Sequence, residues 1–229
     1  MKTFEKSIAL ALIFSVLLSL TGFTGQCTNI SNKVFRLHVL ANSDSTEDQQ
    51  LKLKVRDKIL EYSEGLFDKA NTKKDAKIAA ANHIKDFEKV ALDEIHNQGY
   101  DYPVKVEVTK MYFNTRHYNE VTMPAGKYDA LRVLIGSGEG KNWWCVMFPA
   151  MCLPAAEERT ELKDVLDDSE MDIVENGEGY EIKFKFVELL ESVYEYLEDK
   201  FGDYEYEQDL SNSNHEVSNT YKNNKVYWE

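Results

Sequence analysis

The alternation of apolar and polar residues predicts that the fold begins with a strand. Residues 34–41 (VFRLHVLA) alternate large apolar side chains with Arg36 and His38. This period of two is typical of a strand that buries one face. The next five residues, 42–46 (NSDST), offer side-chain oxygens that cap a helix, and two acidic residues follow in its first turn. The pattern therefore predicts a strand followed directly by a helix.

Two helical stretches are expected after this strand. From residue 51 to residue 62, apolar residues recur at steps of three or four while charged residues fill the other faces. This spacing predicts an amphipathic helix that packs on a sheet. A second helical stretch, with an alanine-rich apolar side, begins at Thr72 and ends at Asn97 and Gly99.

Three further strands are predicted in the middle of the chain. Val104, Val106 and Val108 alternate with polar residues, which is typical of a strand with one solvated face. Residues 128–136 contain the continuous apolar run ALRVLI and predict a central strand. The loop GSGEGKN separates this run from WWCVMF, so we expect these two strands to form a hairpin.

The last third of the chain is dominated by acidic residues. Residues 157–181 hold eleven acidic side chains against two basic ones, so we expect a solvated, mobile excursion there. Residues 180–186 return to strand periodicity, and residues 187–201 carry apolar side chains at helical spacing. Beyond Gly202 there is little apolar periodicity, which predicts a disordered acidic tail in residues 202–229.

The predicted fold class is α+β: a mixed or antiparallel sheet packed against two to three helices, with a disordered acidic C-terminal tail. The expected organisation is a signal peptide or N-terminal anchor in residues 1–25 and a single α+β domain in residues 33–201. The N-terminal assignment depends on Lys2 and Lys6, which precede an uncharged run that is apolar around the whole helix circumference. Export is therefore predicted. The sequence leaves open whether the N-terminal segment is cleaved or is retained as an anchor.

Charge and composition narrow the classes of partner. The 229 residues carry 40 acidic and 27 basic side chains, a net charge of −13. Nucleic-acid binding needs clustered Lys and Arg, so this acidic excess argues against it. An aromatic content of 12% supplies enough apolar area for a packed core and excludes a wholly disordered chain.

The three cysteines are Cys27, Cys145 and Cys152. In an oxidising compartment, Cys145 and Cys152 are close enough in sequence to close a small disulfide loop. The alternative is a pair of buried thiols, since a free cysteine behaves as a small apolar residue.

Few residues have the spacing that catalysis requires. The histidines and cysteines form no zinc-binding motif, so no metal or cofactor is expected. The glycine-rich loop lacks the Ser or Thr that follows Lys in a P-loop, and we interpret it as a connection. His38 and Asp44, with Ser43 beside them, are the candidate acid/base pair of a hydrolase. A structural hydrogen bond and helix capping explain the same three residues.

Large apolar side chains are concentrated around the two later cysteines. Trp143 and Trp144 lie on opposite faces of their predicted strand, with Phe148 following. One ring is expected in the core, whereas the other is free to meet a partner or a helix of the same chain.

Two long blocks of the chain resemble the stage II sporulation protein R family of endospore-forming bacteria. They are FRLHVLANSDSTEDQQLKLKVRDKIL in residues 35–60 and YDALRVLIGSGEGKNWWCVMFPAMC in residues 128–152. The resemblance covers residues 34–152 and implies an exported signalling protein, made in the forespore, that is not an enzyme. It implies action in the intermembrane space on a membrane-embedded aspartic protease of the mother cell, which then processes a sigma-factor precursor. Neither nucleic acid nor a small-molecule substrate is an expected partner.

The predicted receptor-binding surface joins the end of the first strand, the start of the first helix and the tryptophan segment. Its candidate residues are Arg36, His38, Asn42, Ser43, Asp44, Asp48, Gln49, Trp143, Trp144 and Phe148. An exported hydrolase using His38 and Asp44 is the alternative, and it requires a pocket that holds these groups about 3 Å apart. A cell-envelope structural or adhesive protein is a third possibility, which the absence of sequence repeats disfavours.

Overall fold

The structure is a computed structural model that describes residues 2–67, 70–118, 121–151 and 161–201. Within these ranges the helices are α1 (Lys2–Lys33), α2 (Thr46–Phe67), α3 (Lys73–Asn82), α4 (Ile84–Asn97), α5 (Leu162–Val165), α6 (Asp168–Glu175) and α7 (Glu181–Phe201). A 3-10 turn, Gly177–Tyr180, precedes α7. The strands are β1 (Phe35–Leu40), β2 (Val104–Phe113), β3 (Arg116–Tyr118), β4 (Val121–Met123), β5 (Gly126–Ile135) and β6 (Asn142–Phe148).

Four strands form a mixed sheet in the order β2-β5-β1-β6. β1 runs parallel to β5 and antiparallel to β6, while β2 is antiparallel to β5. The predicted α+β class with a mixed sheet is confirmed. The predicted hairpin of β5 and β6 is wrong, because β1 lies between them and pairs with both. β3 and β4 form a separate two-stranded antiparallel ribbon.

Helices α2, α3 and α4 cover one face of the sheet. The predicted apolar stripe of α2 is buried there through Leu51, Val55 and Ile59, together with Phe87 and Ile95 of α4. The second helical stretch is two helices, since His83 ends α3 and begins α4. Thr72 caps α3 through a reciprocal capping box with Asp75, as residues at a helix start commonly do.

The second face of the sheet is covered by the C-terminal part of α1 together with α5, α6 and the start of α7. Its core includes Phe23 and Ile30 of α1, Ile173 of α6 and Phe184 of α7. The predicted mobile excursion over residues 157–181 is therefore wrong from residue 161 onward, where the chain folds into packed helices. Residues 157–160 lie outside the described residues.

Two features explain why the acidic segment folds. Its few apolar residues pack inward, and its acidic residues cap the helices. Asp167 accepts hydrogen bonds from the backbone N–H groups of Ser169 and Glu170 at the start of α6. The buried Glu170 carboxylate also lies 2.6 Å from Lys33 Nζ, which ties α6 to the end of α1.

The predicted strand over residues 180–186 is also wrong, because this segment is the 3-10 turn followed by the first turns of α7. Phe184 and Val187 pack inward at the helical spacing of three residues. The predicted helix over residues 187–201 is confirmed, and it begins earlier, at Glu181. The structure divides into the unit Met1–Val187 and a second unit, Glu188–Glu229, of which the remainder of α7 is described.

The N-terminal segment predicted as a signal peptide forms the first part of α1. Side chains of α1 enter the core from Phe23 onward, and Cys27 and Ile30 follow on the same side. Among the described residues, no helix is both long and apolar enough to cross a membrane. Residues 202–229, the predicted disordered tail, lie outside the described residues.

Candidate interaction site

Strand β1 is the centre of the candidate site, and its polar residues are buried. All six residues of β1 are buried, including Arg36 and His38, which alternation placed on a solvated face. The half-buried strand predicted from the sequence is wrong because both faces of the sheet are covered along β1. Neither side chain can touch a partner directly in this structure.

Arg36 lies inside a group of aromatic rings. Its guanidinium carbon is 4.1 Å from the ring centre of Phe113 and 4.9 Å from that of Tyr128. It donates hydrogen bonds to the Tyr118 hydroxyl and to the backbone oxygen of Cys145. Burial lowers the pKa of Arg36, an effect that Tyr118 and Tyr128 partly oppose. The aromatic faces therefore stabilise a cation that has no carboxylate beside it among the described residues.

His38 is fixed between a ring and an amide. Its imidazole stacks flat on Trp144, with ring centres 3.9 Å apart, and its Nε2 lies 2.7 Å from Asn142 Oδ1. Burial lowers the pKa of His38 to about 4, although the bond to Asn142 acts in the opposite direction. The ring is therefore neutral at neutral pH, and it has a structural partner.

The residues that follow β1 form a polar junction with the start of α2. Asp48 accepts hydrogen bonds from Asn42 Nδ2 at 2.9 Å and from Ser43 Oγ at 2.5 Å. Gln49 Nε2 donates to the backbone oxygen of Ser43 at 2.8 Å. Burial acts to raise the pKa of Asp48, but hydrogen bonds from Ser43, Asn42 and Tyr102 hold it below its ordinary value. Four predicted site residues, Asn42, Ser43, Asp48 and Gln49, thus hold one another in place.

The loop between β5 and β6 crosses the end of β1 and joins this junction. The Ser137 backbone N–H donates to Asn42 Oδ1 at 3.0 Å, and the Lys141 N–H donates to Asp44 Oδ1 at 2.7 Å. A Cβ atom at Gly140 would lie 2.2 Å from the backbone oxygen of Ser43, so this close approach requires glycine. The glycines of this loop therefore serve chain packing, consistent with its interpretation as a connection.

Trp143 and Trp144 lie on opposite faces of the sheet, as the alternation along β6 predicts. Both rings are half-buried. The Arg56 guanidinium of α2 covers Trp143, with its carbon 4.2 Å from the ring centre. Trp144 packs against His38 and Phe113 instead. Phe148 is fully inside the core, so it does not belong to an exposed surface.

The structure describes two of the three cysteines. Cys27 is a free, buried thiol in α1, and burial raises its pKa to about 12. Cys145 is buried in β6. Cys152 lies outside the described residues, so the pairing of Cys145 with Cys152 stays a prediction.

The acid/base pair of the alternative hydrolase is not formed. His38 is 3% exposed and bonds to Asn142, whereas the exposed Asp44 accepts from the Lys141 backbone. The contacts of the described residues contain no hydrogen bond between His38 and Asp44. In that same part of the chain, no group of three His, Cys, Asp or Glu side chains is placed to hold a metal ion.

Two arginines near Trp144 were missed by the sequence reasoning. Arg132 lies beside His38 in the register of β5 with β1, and the Arg116 guanidinium carbon lies 5.4 Å from the Trp144 ring centre. The sequence did mark Arg132 as unusual, because it is the one charged residue in the apolar run ALRVLI. No such feature marked Arg116, because it belongs to a short ribbon strand without clear periodicity.

The fold and the site define an α+β domain whose mixed sheet lies between two helical layers, with a rigid polar junction and two tryptophans at one end. The sequence model of a family described as stage II sporulation protein R matches residues 31–158. The chain is also 30% identical to Stage II sporulation protein R of Bacillus subtilis (strain 168), over 72% of this chain and 83% of that relative. The chain therefore belongs to the stage II sporulation protein R family. No solved structure matches it.

Proposed function

We propose that this protein is an exported sporulation signal that activates a membrane-embedded aspartic protease of the mother cell. The activated protease then processes a sigma-factor precursor. Membership of the stage II sporulation protein R family carries this proposal, because that family is named for a sporulation role and for no enzyme class. The N-terminal sequence, with Lys2 and Lys6 before a long apolar run, supports export into the intermembrane space, as a cleaved or an anchored form.

A ligand activates a protease only by binding its active state more tightly than its inactive state. A difference of a few kcal/mol is sufficient for a large change in the active population. A rigid ligand surface favours such binding, because a flexible surface loses binding free energy when it becomes ordered. The polar junction at the end of β1 is held by hydrogen bonds and provides such a surface.

The accessible part of the predicted surface consists of the exposed Asp44 and of five half-buried residues: Asn42, Ser43, Gln49, Trp143 and Trp144. The polar groups supply orientation, and the rings supply apolar contact area. Arg36, His38, Asp48 and Phe148 act from beneath, by holding the strand and the exposed residues in place. A disulfide between Cys145 and Cys152 would close a small loop after β6 and stays part of the proposal.

The experiment is co-expression of the full chain with candidate sporulation membrane proteases and their sigma-factor precursor. We expect precursor cleavage when this protein is exported and the protease is inserted in its membrane. We expect no cleavage when either protein is omitted. A form without residues 2–20 serves as the control, because it cannot be exported. Cleavage of the precursor in the presence of that truncated form would contradict the proposal. So would the absence of precursor cleavage with every candidate protease.

A further inference from the structure

A tryptophan, a histidine and an arginine lie on neighbouring strands on the second face of the sheet, near the carboxyl end of β1. The strand register places Trp144, His38 and Arg132 in one row across β6, β1 and β5. Arg116 of the β3–β4 ribbon adds a guanidinium group beside the Trp144 ring. We call Arg116, Arg132 and Trp144 the arginine–tryptophan patch.

The patch is accessible and rigid. Arg116 and Trp144 are half-buried, and the Arg132 side chain is 34% exposed. The buried His38 ring lies flat against Trp144, and Phe113 packs on it edge-on, so the tryptophan is fixed before any partner arrives. A preordered aromatic side chain loses little conformational freedom on binding.

Within the described residues, the arginines of the patch are only partly paired with acceptors. No described residue forms an ion pair with Arg116, and the buried Nε atoms of Arg116 and Arg132 have no hydrogen-bond partner in the described part of the chain. Arg132 Nη1 lies 3.2 Å from Glu107 Oε1, but the same carboxylate is shared with Lys105 at 2.6 Å. Within the described residues these guanidinium groups therefore keep unused donor capacity, and their accessible N–H groups can donate to a carboxylate.

We propose that the arginine–tryptophan patch binds an acidic segment of the receptor protease, with carboxylates on Arg116 and Arg132 and an apolar side chain on Trp144. The planar guanidinium group binds carboxylates through two parallel hydrogen bonds. Tryptophan and arginine are also the residues that most often dominate protein interfaces. The identification of the partner rests on the proposed function, whereas the preference for carboxylates rests on the patch alone.

The charge of the whole chain favours a protein segment over a lipid surface. A net charge of −13 repels an anionic bilayer at long range. A short acidic segment reaches the local positive charge at close range, where, among the described contacts of the patch, two guanidinium groups outweigh the Glu107 carboxylate. Phospholipid vesicles therefore serve as the competing probe.

The first experiment measures binding of the full-length protein to a synthetic peptide of six glutamates flanked by leucines. We expect binding that weakens as salt is added, and about a tenfold or greater loss of affinity in the double variant R116Q/R132Q. K54Q/K58Q is the matched control, because it also removes two positive charges, from exposed lysines of α2 outside the predicted surface, and its affinity should equal that of the wild type. R116K/R132K, which keeps the charges, should bind more tightly than the glutamine variant.

Three results would overturn the inference: equal affinity of R116Q/R132Q and wild type, equal affinity for a glutamine peptide of the same length, or tighter binding to phosphatidylglycerol vesicles than to the peptide. The same variants are then compared in the precursor-cleavage assay. Reduced cleavage with R116Q/R132Q and normal cleavage with K54Q/K58Q support the receptor assignment. Normal cleavage with both variants overturns it and leaves the proposed function intact, whereas absence of cleavage with wild-type protein contradicts the proposed function itself.

Discussion

At the scale of single residues, burial decides the charge state of the site. His38 is buried in the sheet beneath Trp144, where water cannot stabilise the positive charge of a protonated imidazole. This loss of solvation lowers the pKa of His38 to about 4 from an ordinary value of 6.5. The folded protein therefore binds this proton less readily than the unfolded chain does.

The first prediction concerns the pH dependence of stability. As pH falls from 6.5 toward 4, the unfolded state takes up a proton at His38 before the folded state does, so folding loses free energy in this window. The loss from His38 is about 2 kcal/mol at pH 5 relative to pH 7. Urea unfolding at both pH values should show a smaller decrease for H38Q than for wild type. H96Q, which removes an exposed histidine, should behave like wild type, and an equal decrease in H38Q would contradict the assignment.

The second prediction concerns the close approach of the crossing loop to the polar junction. G140A introduces a methyl group 2.2 Å from the Ser43 backbone oxygen, and neither backbone segment is free to yield. We expect the free energy of unfolding to fall by about 1–3 kcal/mol. G65A is the control: it meets no atom within 4 Å, lies in α2, and should raise stability by about 0.5–1 kcal/mol. Equal stability of G140A and wild type in urea unfolding would show that the loop is not held there.

Local chemistry made part of the site predictable. Capping oxygens after the first strand indicated the junction of Asn42, Ser43 and Asp48, and alternation placed Trp143 and Trp144 on opposite faces. The burial of Arg36 was not predictable in this way. Alternation distinguishes two faces of a strand, but it carries no information on whether distant segments such as α1 cover the second one.

At the scale of secondary-structure elements, charge obscured the apolar pattern of the acidic segment. The eleven acidic residues of residues 157–181 suggested a solvated excursion, yet Ile173 and Val174 are fully buried. Acidic side chains at the starts of α5 and α6 are compatible with folding because they satisfy free backbone N–H groups. Helix starts therefore explain much of the charge that indicated mobility.

The third prediction tests this packing. I173A should lower the free energy of unfolding by about 2–5 kcal/mol, because it leaves a cavity in the core under α1. I182A makes the same chemical change at a side chain that is 87% exposed, so its effect should be within about 0.5 kcal/mol. Urea unfolding of the two variants provides the comparison. An equally small effect of both would mean that α6 does not pack as described.

The two incorrect strand predictions share a cause. A short apolar run can pair with more than one neighbouring strand. The spacing of β5 and β6 in the sequence is compatible with a hairpin, yet β1 lies between them in the sheet. Residues 180–186 also fit a period of two as well as a helical period, and packing of Phe184 and Val187 decides for the helix. Element type was predictable for long periodic segments, whereas pairing depended on contacts between distant parts of the chain.

At the scale of the whole molecule, α1 joins the segment predicted to direct export to the folded core. The exposed apolar side chains of its first part, such as Phe4 and Phe14, contrast with Phe23, which stacks on Tyr180 at 5.4 Å. The boundary predicted at residue 25 therefore lies inside the packed part of the helix. A leader that ended at residue 25 would take Phe23 with it.

The fourth prediction places this boundary by truncation. A variant that begins at residue 21 should unfold with the same free energy as the full chain, whereas one that begins at residue 26 should lose about 3 kcal/mol with the Phe23 ring. Both variants should stay inside the producing cell and fail to signal. Equal stability of the two truncated forms would show that α1 does not contribute to the core before residue 26.

The central claim is that this protein activates a protease of a second membrane by direct contact. The most direct measurement is the rate of precursor cleavage by the purified protease in proteoliposomes as purified protein is added. We predict a rate that rises with protein concentration and saturates, and that falls with R116Q/R132Q but not with K54Q/K58Q. A cleavage rate that is independent of the added protein, or cleavage of the precursor without the protease, would contradict the account.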